Sequence, residues 1–175
     1  GERFRRAQPS AYVRSLDLDS AVASVDYEDG GSRRHRETFV SHPDQVLVHH
    51  VAASDAPVHL VVTLESALRS VVVSAGDPVV LTGRAPDHVQ PEYDPNPPTV
   101  VYLPDAESAA IRFAAVARVV ETDGEIVAEP GRIVVNGATR ATILVAAHTS
   151  YAGFQVSRGT ESGPIATRCD DTIRR

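Results

Sequence analysis

Along most of the chain, apolar and polar side chains alternate with a period of two, which sends successive side chains to opposite faces of an extended strand. In residues 12 to 19, YVRSLDLD, Leu16 and Leu18 share one face and Asp17 and Asp19 the other, the pattern of a half-buried strand. Residues 22 to 41 carry two further alternating runs around Asp29-Gly30-Gly31 and predict a β-hairpin. The same pattern predicts strands over 45–53, 59–66, 70–75, 79–83, 111–120, 125–129, 132–137 and 142–148. Between them lie Asp55-Ala56-Pro57, Ala75-Gly76-Asp77-Pro78, Thr122-Asp123-Gly124, Glu129-Pro130-Gly131 and Asn136-Gly137-Ala138-Thr139, all of them turn chemistry. Short polar links with no helical pattern between the strands favour one all-β, antiparallel β-sandwich over a βαβ arrangement. Only the tail from Gly163 onward suits a helix or linker, with Pro164 at its first turn.

Composition narrows the partners. A chain of 175 residues with 42% hydrophobic side chains supports a single core. The longest apolar runs fall far short of the roughly 18 residues that cross a bilayer as a helix, so no membrane span is expected. The 17 basic residues, all arginine, face 23 acidic ones, and a net charge of -6 repels phosphate backbones, which argues against nucleic acid. The one basic run, Arg33-Arg34-His35-Arg36, follows the Gly-Gly turn and is expected to be a solvated hairpin flank. Methionine and tryptophan are absent, as expected of a piece cut from a longer chain. Cys169 is the single cysteine, which excludes an internal disulfide framework and points to an incidental free thiol. Neither a cofactor nor a compartment is implied.

Candidate chemistry is sparse. His49 and His50 are neighbours on a predicted strand and point to opposite faces, while His35, His42, His59, His88 and His148 are scattered, so no metal site is expected. No nucleophile elbow, phosphate-binding glycine loop, dinucleotide fingerprint or zinc-binding His-Glu-x-x-His helix is present. Asp17 and Asp19, about 7 Å apart on one strand face, have the spacing of a glycosidase pair. A regular strand nevertheless offers both to bulk water, with no pocket to raise either pKa, so a solvated strand face is expected. The exception to all this regularity is the segment from Arg84 to Ala110, far longer than a hairpin loop. Pro86, Pro91, Pro95, Pro97, Pro98 and Pro104 stiffen it. Arg84, His88, Tyr93 and Tyr102 offer hydrogen bonds and flat rings to a sugar or to a neighbouring protein surface, and are the candidate contact residues.

Four stretches in order carry a resemblance: YVRSLDLDSAVASVDYEDGG, RETFVSHPDQVLVHHVAA, LTGRAPDHVQPEYDPNPPTVVY, and IRFAAVARVV followed by ILVAAHTSYAGF. Over about residues 10 to 165 the chain resembles the N-terminal β-sandwich domain of glycoside hydrolase family 95, the α-L-fucosidases and their relatives, itself related to the family 65-type N-terminal domain. The resemblance implies a supersandwich-like domain over 1–163, incomplete at its start, and the beginning of a linker helix over 164–175. It also implies an (α/α)6 catalytic domain of the same parent chain as partner, which would act on a fucosylated or related galactosyl glycan with inversion. The general-acid glutamate and the water-activating asparagine and aspartate belong to that barrel, and none maps onto this sequence. The chain is therefore expected to be non-catalytic by itself. An autonomous carbohydrate-binding module is the alternative, opposed by a 5% aromatic content without tryptophan, and a purely structural or adhesive sandwich is the third.

Overall fold

The computed structural model describes residues 9–73, 77–91, 99–156 and 164–175. Among the described residues, thirteen strands and one helix follow in chain order: β1 (Ser10–Asp17), β2 (Val22–Asp29), β3 (Ser32–Ser41), β4 (Val46–Ala53), β5 (Val58–Val62), β6 (Ser70–Val73), β7 (Val79–Arg84), β8 (His88–Val89), β9 (Val100–Val101), β10 (Arg112–Thr122), β11 (Glu125–Glu129), β12 (Arg132–Ala138), β13 (Arg140–Thr149) and α1 (Ile165–Ile173). Eight strands form one sheet in the order β1-β2-β3-β4-β13-β10-β7-β6, and β11-β12-β5 form a second. Strands β8 and β9 form a separate two-stranded ribbon. The pairings are antiparallel, as alternation and short turns require. Gly30 and Gly31, with φ of 60° and 81°, make the two-residue turn between β2 and β3, a conformation that a side chain would strain.

The three-stranded sheet lies on one face of the large one. Ile133 and Val135 of β12 meet Val79, Val119, Ala141 and Ile143, with Val58, Leu60 and Val62 of β5 packed around them. The opposite face takes α1. Ile165, Cys169 and Ile173, spaced four apart and so on one side of a helix, pack on Val46, Ala114, Val116 and Ala146. Strands β10 and β13 are thus covered on both faces, which explains why FAAVARVV and ILVAA read as nearly continuous apolar runs. Pro164, extended at φ -67°, stands one residue before the first helical turn.

Among the described residues, no layer covers the other end of the large sheet. Every residue of β1 is exposed, and Leu16 and Val40 keep 61% and 69% of their surface in water. Three expectations need correcting in this region, the first being the half-buried strand over residues 12 to 19, since β1 is exposed throughout. The basic run is not a uniformly solvated flank, because pairing alternates its faces: Arg34 is buried and donates to the Ala56 carbonyl at 2.5 Å, while Arg33 stays in water. Strand β1 ends at Asp17, so Asp19 lies in the following turn and not on the strand. Elsewhere β5 stops at Val62, short of Ser66, and Glu65 and Ser66 leave the sheet.

Candidate functional site

Strand β7 ends on Arg84, the first residue of the long excursion, and its backbone stays paired with Arg112 of β10. The side chain turns inward, with 5% of the residue's surface exposed. Its guanidinium donates to Asp87 Oδ2 at 2.9 Å, to Ser108 Oγ at 2.8 Å and to the Leu103 carbonyl at 2.5 Å, and its Nε faces Asp105 at 3.1 Å. Asp87 in turn accepts from the Ser108 hydroxyl at 2.6 Å and from the Leu103 N–H at 2.9 Å. The Ser108 hydrogen bond, ahead of the guanidinium, holds the Asp87 carboxyl below its ordinary range. One arginine therefore ties together both legs of the excursion. An ion pair at this depth is stable only because its donors and acceptors are matched.

Tyr102 completes the base. Its ring lies 5.3 Å from the Arg84 guanidinium and 4.4 Å from that of Arg69, and its hydroxyl accepts the Arg69 N–H at 3.2 Å. Above it rises the ribbon, with His88 opposite Val101 and Val89 opposite Val100. Its ladder is extended by Asp87 N–H to the Val101 carbonyl at 2.9 Å and Gln90 N–H to the Thr99 carbonyl at 2.8 Å. Of the four candidate contact residues, Arg84 and Tyr102 meet at the base, and His88 is exposed on the ribbon. Tyr93 lies outside the described residues. Beside the base, a cavity of about 430 Å³ opens between β7, β10 and the start of α1, lined in part by Arg69, Arg84, Arg112, Phe113 and Ile165. Asp105 is the acidic residue of its lining.

The remaining chemistry is spent internally. Residue types alone did not reveal a cluster around Arg118, which bridges Asp77 at 2.9 Å and Asp170 of α1 at 2.7 Å. Burial pushes the Asp77 carboxyl up, while Asp170 is held down by its bonds to Arg174 and Arg118 against the cost of burial. A guanidinium fills the gap that a substrate would need between two working carboxylates. Asp17 accepts the Asp19 N–H at 2.9 Å and is a turn latch. His49 bonds Thr38 at 2.8 Å on one face of the large sheet, and His50 bonds Thr142 at 3.0 Å on the other. Cys169 is fully buried, its thiol directed at the Ala114 carbonyl at 3.5 Å, and burial raises its pKa.

Residues 3–153 match the family model described as glycosyl hydrolase family 65, N-terminal domain. Alpha-L-fucosidase 2 of Arabidopsis thaliana is 27% identical over 154 residues, 85% of this chain and 18% of that protein. Probable alpha-fucosidase A of Aspergillus niger is 39% identical over 59 residues, 34% of this chain and 7% of that protein. In shape, a putative kojibiose phosphorylase from the human microbiome superposes with a TM-score of 0.54 at 11% identity, over 97% of this chain and 22% of that one, which shows a shared fold. The chain thus spans about a fifth or less of these relatives.

Proposed function

This chain belongs to the N-terminal domain family of glycosyl hydrolase family 65, and from that premise we propose that it is the non-catalytic supporting sandwich of an α-L-fucosidase-like hydrolase. The observation that carries the proposal is the alignment of 85% of this chain with only 18% of an alpha-L-fucosidase, which leaves the greater part of such an enzyme to supply the reacting groups. The side chains support it. The Asp77 and Asp170 carboxylates share Arg118, and Arg84 makes four polar contacts within the excursion. The partner in this proposal is the helical-barrel catalytic domain of the same gene product, toward which the stiff ribbon carries His88. A ribbon locked at its base loses little conformational freedom on contact, so it can position a neighbour cheaply.

Purified chain incubated with 4-nitrophenyl α-L-fucoside is expected to release no nitrophenol above buffer, and to give no binding heat with fucosyllactose. Nitrophenol release would overturn the proposal outright. Binding heat without release would replace it with a carbohydrate-binding module.

A further inference from the structure

Helix α1 cannot stand by itself. Its nine residues are fewer than the roughly 12 to 15 at which an isolated helix becomes marginal in water. Pro164 at its start offers no side-chain cap, and its first turn holds no acid to answer the helix dipole. Its helical form therefore depends on the sheet beneath it. Ile165, Cys169 and Ile173 supply the apolar contact, against Val46, Ala114, Val116 and Ala146. Burying three side chains returns free energy of the same order as ordering nine residues costs, so the polar ties decide whether the helix stays.

Two of those ties are neutral or nearly so: His148 meets the Thr172 hydroxyl at 3.1 Å, and the Arg168 guanidinium donates to the Thr149 carbonyl at 3.1 Å. The strongest is ionic. Arg118 of β10 donates to Asp170 at 2.7 Å, in the middle of a line of charges that runs Asp77, Arg118, Asp170, Arg174. That line can part in the middle. Arg118 keeps Asp77 at 2.9 Å, while Asp170 moves into water with Arg174 beside it, so no charge is left buried without a partner, which is the usual penalty for breaking an ion pair below the surface. The rest of the molecule need not follow. The core under α1 and the core between the two sheets lie on opposite faces of the large sheet and have no residue in common, so one can open while the other stays closed.

We propose that α1 is a detachable clasp: it leaves the large sheet as a unit while the sandwich stays folded, the Arg118–Asp170 bridge is its catch, and its departure bares the apolar strip of Val46, Ala114, Val116 and Ala146 together with the Cys169 thiol. This goes beyond the supporting role above and does not depend on it. Cys169 is the chain's single cysteine and is buried under the docked helix, so its reactivity reports release. The whole chain is mixed with excess 4,4′-dithiodipyridine, and thiopyridone release is timed at rising urea below the unfolding transition. Local release exposes little surface, so the rate is expected to stay nearly flat over that range. Asp170→Asn should speed the reaction about tenfold, while Ile133→Ala, which weakens only the other core, should leave it within about twofold of the native chain. If Ile133→Ala does not fold, the urea series and Asp170→Asn decide. A thiol that reacts only as the whole domain unfolds, or that Ile133→Ala exposes as much as Asp170→Asn does, would overturn the proposal. So would an unchanged rate in Asp170→Asn, or a native thiol as reactive as that of the urea-unfolded chain, which would mean that the helix is never docked.

Discussion

Strands β10 and β1 belong to the same sheet and have opposite fates. In β10, Ala114 and Val116 lie under α1 while Ala117 and Val119 lie under the three-stranded sheet, and all four are buried. In β1, no residue is buried, although Leu16 is as apolar as anything in the core. The difference is the presence of a covering layer and not the strand itself. Apolar area stabilises only when it leaves water, at roughly 25 cal/mol per Å², so the covered half carries the stability and the bare arm contributes hydrogen bonds with little packing. Among the described residues, one half of the large sheet is core and the other is uncovered surface.

The largest break in that contrast should come from Ile133→Ala, which empties a fully buried site at the centre of the covered half. A loss of about 2–5 kcal/mol in urea-unfolding free energy is expected. A loss below about 1 kcal/mol would mean that the two sheets are not packed as described.

Acid probes the latch at the turn end of the same half. Asp123 accepts the Thr139 and Arg140 N–H groups at 2.8 and 3.0 Å and the Thr139 hydroxyl, and these bonds lower its pKa to about 2. A depressed folded-state pKa gives stability that is present above the unfolded value of 3.8 and is lost as pH falls toward about 2. The melting temperature of the chain should therefore drop more steeply over that window than that of Asp123→Asn. Parallel pH profiles would contradict the assignment.

The smallest effect sharpens the comparison from the other side. Leu16→Ser on the bare arm should change unfolding free energy by no more than about 0.5 kcal/mol in the isolated chain. It removes an apolar side chain that is already 61% exposed. A cost near that of Ile133→Ala would show that the arm is packed after all.

Much of this fold was visible in the sequence because alternation over five or more residues is a strong local signal. The hairpin at Gly30-Gly31 and the longer strands from Val46 to Thr149 register it, whereas the helix after Pro164 is marked by the proline that precedes it. The ribbon of β8 and β9 escaped, since two-residue strands among prolines are too short to show a period. The candidate site was only partly legible. Residue type marked Arg84 and Tyr102, but the burial of Arg84 depends on Asp87, Leu103, Asp105 and Ser108, partners that follow no repeat. The Arg118 bridge joins β10 to α1 and to Asp77 across long separations, which a linear pattern does not encode. The bareness of β1 was equally hidden, because alternation states that a face is apolar and not what covers it.

The account turns on whether this sandwich is a body made to be joined. Hydrogen exchange read by mass spectrometry, on the chain alone and within the proposed full-length hydrolase, tests that directly. The amides of β10 and β13 should be equally protected in both, while those of β1 to β3 should exchange fast in the isolated chain and slow by about tenfold or more once joined. Identical exchange of the arm in the two contexts would contradict it.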